Sequence, residues 1–154
     1  ILLCAVCQYG GGTRPPFKAD NLPELLDMIL HEKPDVLITM ARSADWMMCA
    51  PCPNRAPKLN ACVNTLGSGG PSNEKRDLDM LQGLGLEFGS TLKARDLYHL
   101  IFDKIPTPQE ICHRDNPCPN VWWDSCGQNN LKEGNASYAK GRRELMEKLG
   151  KMGK

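Results

Sequence analysis

The stretch Ala44–Arg55 reads ADWMMCAPCPNR, and it decides how the rest of the chain must be organised. It places Cys49 and Cys52 at the ends of a Cys-x-x-Cys step, and prolines and glycines break every hydrophobic period over residues 50–71. An irregular segment of about twenty residues is rare in a compact domain unless something organises it. Because Cys62 lies in the same segment, the sequence predicts a metal centre held by cysteine thiolates.

Length and charge exclude several classes of function. The 154 residues predict one domain, residues 1–154, with a core large enough to fold without metal or disulfides. The 19 Lys and Arg residues balance 18 Asp and Glu residues, so no overall field attracts nucleic acid or an anionic membrane. No stretch reaches the roughly 18 apolar residues of a membrane span. We therefore expect a cytoplasmic protein with no nucleic-acid partner and no membrane span.

Hydrophobic periodicity and capping signals predict helices separated by cysteine loops. Gly10–Gly12 would form a loop, Asn21 would cap a helix that ends before Pro34, and residues 35–40 would form a short buried strand. Thr107 would start a short turn that delivers Cys112. The later helices have these inward faces: Leu78, Leu81 and Leu84 after a Ser72 cap and before Gly83 or Gly85; Ala94, Leu97, Leu100 and Ile101 between Ser90 and Ile105; Tyr138, Leu145 and Leu149 from Ser137 onward.

This pattern predicts an α+β fold class. We expect a small, mostly α-helical domain with a short sheet and with cysteine-bearing loops that converge on a metal cluster. The eight cysteines make the prediction specific, because we place every one of them at the end of an element or in a loop rather than inside an apolar helix face. They are Cys4, Cys7, Cys49, Cys52, Cys62, Cys112, Cys118 and Cys126.

Several kinds of site use cysteines in this way. A disulfide framework requires an oxidising compartment, and eight cysteines in 154 residues fall below the density of small secreted scaffolds, roughly 8–10%. A thioredoxin-like pair requires a helix N-terminus, which Pro51 and Pro53 do not favour. Two distant Cys-x-x-Cys steps are the spacing of a zinc ribbon, here with Cys4, Cys7, Cys49 and Cys52 as ligands.

Iron–sulfur clusters also take four thiolates, but they accept ligands scattered over several loops. Their potential depends on the apolar surroundings, and bulky apolar residues flank the cysteines here. These residues are Trp46, Met47, Met48, Trp122 and Trp123. The Cys-Pro steps at Cys52 and Cys118 are also frequent in ferredoxin-type sites.

The order of these motifs resembles a known family over residues 1–126. The matching features are Leu2-Leu3-Cys4 with its Gly-rich turn, the helix from Asn21 to Glu32, Asp45 before Cys49-Ala50-Pro51, Cys62, Arg76-Asp77 at a helix start, and Cys118, Trp122 and Cys126. In these features the chain resembles the prokaryotic domain of unknown function 1284 family, which is described as iron–sulfur binding. The resemblance implies a cluster held by Cys4, Cys49, Cys62 and one late cysteine, taken as Cys126, and it implies no particular reaction.

The remaining cysteines give the next candidate ligands. Cys7 and Cys52 are additions to the family pattern. Together with Cys112 and Cys118 they would supply four thiolates, which is enough for a second cluster.

The sequence leaves three functions open. The one it favours is electron transfer or redox sensing by a four-iron, four-sulfur ([4Fe–4S]) cluster, which requires a redox partner protein or a larger redox complex. The second is a cluster-dependent enzyme whose open iron takes a small sulfur- or oxygen-containing substrate, assisted by Asp45, His113 or Arg55. The third is a structural zinc module that presents a surface to a partner. No catalytic nucleophile with an identifiable base is found in the sequence.

Overall fold

The computed structural model describes residues 2–11, 26–42, 52, 55–56, 58, 61–62, 69–113 and 136–152. This part of the chain is mostly helical with short antiparallel strand pairs, so the predicted α+β class is confirmed. Its helices are α1 (Leu2–Gly11), α2 (Met28–Glu32, a π-helical turn), α3 (Gly69–Leu84), α4 (Ala94–Lys104), α5 (Gln109–His113) and α6 (Ala136–Met152). Its strands are β1 (Leu37–Thr39), β2 (Arg55–Ala56), β3 (Ala61–Cys62) and β4 (Thr91–Lys93).

Helices α1 and α6 form the centre of the core because their backbones touch. A Cβ atom built on Gly10 would lie 2.8 Å from the Gly141 Cα and would overlap the Ser137 carbonyl oxygen. A Cβ atom on Gly141 would overlap the carbonyl oxygen of Val6. Only glycine allows so close an approach. The predicted loop at Gly10–Gly12 is therefore wrong at its first two residues, which complete α1.

The inward face predicted for the last helix is confirmed. Tyr138, Leu145 and Leu149 of α6 are all buried in the core. Helix α2 adds Ile29 and Leu30 to the same core.

Two side chains of α6 bind the C-terminal end of α4. The Tyr138 hydroxyl donates to the Ile105 carbonyl oxygen at 2.7 Å. The Arg142 guanidinium donates to the Phe102 carbonyl oxygen from Nε at 2.9 Å and from Nη2 at 2.5 Å. The last carbonyls of a helix have no partner within the helix, so these bonds satisfy groups that burial would otherwise leave unpaired.

Strands β1 and β4 pair in antiparallel register, with Ile38 opposite Leu92. The strand predicted at residues 35–40 is present, but the prediction that it is buried is wrong, because Leu37 is 67% exposed and the core begins only at Met40. The sheet has two strands and packs on one side only. Since alternate residues of a strand point to opposite faces, half of β1 stays exposed.

The pairing of β4 with β1 also explains why α4 begins later than the sequence predicts. The sequence predicts a helix capped by Ser90, whereas the structure places β4 first and begins the helix at Ala94. The Ser90 hydroxyl instead accepts the Glu87 N–H at 3.0 Å. The predicted inward residues Leu97 and Ile101 are nevertheless buried, because the helical period is the same from either starting point.

Helix α3 ends at a glycine, as predicted. Gly85 has φ 70°, its N–H donates to the Gln82 carbonyl oxygen at 3.1 Å, and the Leu86 N–H donates to the Leu81 carbonyl oxygen at 2.8 Å. These two hydrogen bonds around a residue with left-handed backbone angles form a Schellman motif. The motif favours glycine because a side chain would be strained there.

The remaining predictions for α3 are partly wrong. Leu81 and Leu84 are buried as predicted, but Leu78 is 40% exposed. The helix begins at Gly69, so Ser72 lies inside it rather than at its cap.

Candidate metal centre

Five of the eight cysteines fall within the described residues: Cys4, Cys7, Cys52, Cys62 and Cys112. For Cys62 the backbone alone is described. Two of the predicted ligands, Cys49 and Cys126, and one further candidate, Cys118, lie outside them. The same holds for Asp45 and for the His113 side chain. The described parts of the candidate site are therefore α1, the hairpin of β2 and β3, and α5.

Cys4 and Cys7 lie inside α1, which corrects the prediction that they sit at an element end or in a loop. They are three positions apart and so occupy one side of the helix. Cys7 is 7% exposed and belongs to the core, whereas Cys4 is half-buried. The prediction failed because the glycines after them are kept helical by contact with Gly141. Cys4 is the member of the pair that an external metal can reach.

Strands β2 and β3 form a hairpin that brings two cysteine positions together. Arg55 pairs with Cys62 across the hairpin. The Arg55 N–H donates to the Cys52 carbonyl oxygen at 3.1 Å, which closes a turn directly before β2. Cys52 and Cys62 are ten positions apart in sequence, yet the turn and the strand register place both backbones at the same end of the hairpin. Cys52 is half-buried and is not in a disulfide.

Arg55 contributes an unusual buried donor at this end of the hairpin. Its Nε atom is buried and has no hydrogen-bond partner in the part of the chain that the structure describes. The only other buried side-chain atom of this kind there is Arg95 Nε, which lies 2.9 Å from the Asp35 carboxylate and is thus paired by charge. A buried N–H without an acceptor is unfavourable. Arg55 therefore carries a buried donor that no acceptor among the described residues satisfies.

Two cysteine thiols influence the pKa of the buried Tyr138 hydroxyl. Burial is the main cause that raises the pKa of Tyr138, and the nearby Cys7 thiol raises it further. Arg142 acts in the opposite direction, and the Cys112 thiol adds a smaller upward effect. Cys7 of α1 and Cys112 of α5 thus both act electrostatically on one hydroxyl. Sequence reasoning missed this group, because the helical period marks Tyr138 as inward-facing but does not say which thiols it meets.

The described residues alone do not complete a metal site. Among them, no three His, Cys, Asp or Glu side chains lie together in a group that could hold a metal ion. At the hairpin, the described side chains supply one half-buried thiol, that of Cys52, and the buried Arg55 Nε–H donor. Helix α3 contacts both β3 and α5, so it is a common neighbour of the two elements that carry Cys62 and Cys112.

Comparisons with known proteins identify no relative of this chain. No family model, no curated protein and no solved structure matches the chain at a significant level. The resemblance described above therefore stays a prediction. In the part of the chain with described structure, no helix has the length and apolar character needed to cross a bilayer.

Proposed function

We propose that the protein binds an iron–sulfur cluster of the [4Fe–4S] type through the thiolates of Cys4, Cys49, Cys62 and Cys126 and acts in electron transfer or redox sensing. The observation that carries this proposal is the buried Arg55 Nε. It lacks an acceptor among the described residues, and its residue lies directly opposite Cys62 in the hairpin.

The charge of Arg55 suits a thiolate centre. When bound, such a cluster supplies one-electron exchange at a potential that its hydrogen bonds and net charge set. The Arg55 guanidinium offers both an N–H donor and a permanent positive charge. Because reduction adds negative charge, a neighbouring cation favours the reduced form and raises the reduction potential.

The hairpin itself supports a ligand-organised loop. Strands β2 and β3 have two residues each, and an isolated two-stranded hairpin is at best marginally stable in water. Metal binding supplies folding free energy to segments that cannot bury enough apolar surface themselves. Cys4 is half-buried in α1, so a centre that uses its thiolate lies near the surface, where a redox partner protein can approach.

An anaerobic absorbance spectrum with counts of iron, acid-labile sulfide and zinc tests the proposal. We expect a brown protein with iron and sulfide in equal amounts and no stoichiometric zinc. A colourless protein with one zinc per chain would contradict the proposal and select the structural zinc module.

Replacement of single cysteines by serine tests the ligand set. We expect Cys4→Ser, Cys49→Ser, Cys62→Ser and Cys126→Ser each to lose the cluster, whereas Cys112→Ser, a change beside Tyr138, keeps it. A cluster that survives the loss of one of the four, with the other three essential, would indicate the open iron site of an enzyme instead.

Replacement of Arg55 tests the observation that carries the proposal. Arg55→Gln removes the positive charge, so we expect a lower midpoint potential in a redox titration followed by absorbance. Lys58→Gln is the matched control, because it removes an equal charge from an exposed residue three positions away. Equal potentials for Arg55→Gln and the unmodified protein would mean that Arg55 does not face the cluster.

A further inference from the structure

A histidine of α2 has two partners on one ring nitrogen. His31 Nε2 lies 2.5 Å from the Lys148 ammonium of α6 and 3.1 Å from Oδ1 of Asp27, one turn earlier in the chain. The same ammonium contacts the Tyr9 hydroxyl of α1 and lies 4.9 Å from the centroid of the Tyr9 ring. Because 117 residues separate His31 from Lys148, no sequence motif marks their contact.

These two partners make opposite demands on the nitrogen. A lysine ammonium only donates hydrogen bonds, and an ionised carboxylate only accepts them. His31 Nε2 accepts from Lys148 only while it carries no proton, and it donates to Asp27 only when it carries one. An Nε2 proton would also face the ammonium, so the contact with Lys148 places the proton of the neutral ring on Nδ1. The protonation of His31 therefore decides which of the two contacts is a hydrogen bond.

Few other charged groups of the described residues act on this nitrogen. Helices α4 and α6 both pack against α2. Among the described side chains of these helices, Lys148 alone forms a hydrogen bond or ion pair with His31, and within α2 and its flanks Asp27 alone does so. The His31 side chain is 37% exposed, so water screens these charges and the effect of protonation stays local.

We propose that His31 is a pH-dependent link between α2 and α6. At pH 8 the neutral imidazole accepts from Lys148 and joins the two helices. A histidine takes up a proton from solvent between about pH 8 and pH 5. The proton is then held at Nε2, where it donates to Asp27 within one turn of chain. The imidazolium repels the Lys148 ammonium, which turns to water, and the link between the helices is lost. This device does not depend on the proposed cluster.

Long-range proton–nitrogen NMR spectra of the imidazole rings test the first half of the proposal, because they show which ring nitrogen carries the proton. At pH 8 we expect the His31 proton on Nδ1. Lys148→Met keeps the apolar stem but removes the ammonium, so the proton should move to Nε2 and donate to Asp27. Lys151→Met is the matched control, since Lys151 is an exposed cation on α6, and it should leave the proton on Nδ1.

Amide hydrogen exchange, corrected for the intrinsic effect of pH, tests the second half. We expect the α2 amides to be about twofold to fivefold less protected at pH 5 than at pH 8, whereas the amides around Ile101 in α4 change little. His31→Gln keeps an acceptor oxygen for Lys148 but does not titrate, so its α2 protection should be equal at both pH values. His99→Gln replaces an exposed histidine of α4 and should keep the pH dependence.

Three results would overturn the proposal. They are a His31 proton on Nε2 at pH 8, a proton position that Lys148→Met does not change, and an equal loss of α2 protection at pH 5 in His31→Gln and the unmodified protein. Circular dichroism checks that each variant folds. If Lys148→Met does not fold, the proton position in the unmodified protein and the exchange of His31→Gln still decide the question.

Discussion

Helices α1 and α6 touch along their backbones at Gly10 and Gly141, whereas β2 and β3 pair over only two residues each. Around the helix contact, Val6, Tyr138 and Leu145 are almost completely buried. At the hairpin, by contrast, Arg55 and Ala56 are half-buried, and a buried guanidinium nitrogen has no acceptor among the described residues.

The two regions therefore depend on different sources of stability. The helix contact gains from removing apolar surface from water and from paired carbonyls, and it needs no bound group. The hairpin strands have only two residues each, and we propose that a bound cluster supplies part of the free energy that orders them. Each of the following predictions tests one side of this comparison.

The largest expected effect is at the helix contact. In Gly141→Ala the new Cβ meets the Val6 carbonyl oxygen, a backbone atom that cannot move alone. We expect a loss of about 3 kcal/mol or more in the free energy of unfolding, measured in urea. Gly150→Ala, in the same helix, has no neighbouring atom within 4 Å and should gain up to about 1 kcal/mol through helix propensity. Equal effects of the two changes would show that the helices do not touch as described.

The second-largest expected effect is a fall in the free energy of unfolding at alkaline pH. Burial raises the pKa of Tyr98 and of Tyr138 above the ordinary 10.0, with a smaller contribution from each tyrosine's neighbours. Above about pH 10 the unfolded chain loses protons that the folded protein keeps, so the free energy of unfolding falls by about 1.4 kcal/mol per pH unit for each tyrosine. Below that pH this stabilisation is fully present.

Urea unfolding at a series of alkaline pH values measures the slope. Tyr138→Phe should reduce the contribution of the two tyrosines to this slope by about half. An unchanged slope would mean that the Tyr138 hydroxyl is not buried.

Removal of the proposed cluster should affect the hairpin rather than the helix contact. We expect amide hydrogen exchange of β2 and β3 to become about tenfold to a hundredfold faster in the apo-protein, because the ligand no longer stabilises this segment. The amides around Leu145 in α6 serve as the internal control and should change little. Equal acceleration in both regions would contradict the comparison, since it would mean that the core also depends on the cluster.

The smallest expected effect is the loss of one buried hydrogen bond. Tyr138→Phe leaves the Ile105 carbonyl oxygen without its 2.7 Å donor. We expect a loss of about 1 kcal/mol in the free energy of unfolding at neutral pH, measured in urea. A neutral or stabilising change would show that water or another group satisfies this carbonyl.

Most predictions that rest on helical period are confirmed, and Leu78 is the exception. Leu81 and Leu84, Leu97 and Ile101, and Leu145 all lie on the faces that their spacing indicates. Helix ends were predicted less well. Ser72 and Ser90 are good capping residues, but α3 begins before Ser72 and a strand separates Ser90 from α4. Capping contributes about 1 kcal/mol, so strand pairing or packing can outweigh it.

For the candidate site, the sequence shows which types of side chain are present but not which of them come together. The spacing of Cys52, Arg55 and Cys62 does not reveal that one turn and one register place them together, because neighbours in a hairpin depend on which residues pair. The glycines after Cys7 indicate a loop from their intrinsic preference, yet contact with Gly141 keeps Gly10 helical. That contact involves a residue more than a hundred positions away, and local sequence carries no sign of it.

By itself, the sequence determined the mostly helical character of the chain, most of the inward faces of its later helices and the abundance of thiols, because these follow from period and composition. Only the tertiary structure decided that Cys7 is buried while Cys4 is accessible, that Arg55 lies opposite Cys62, and that Tyr9 and His31 meet Lys148. The physical reason is that burial and hydrogen-bond partners depend on which distant segments come into contact, and contacts of that kind are not encoded in any local pattern.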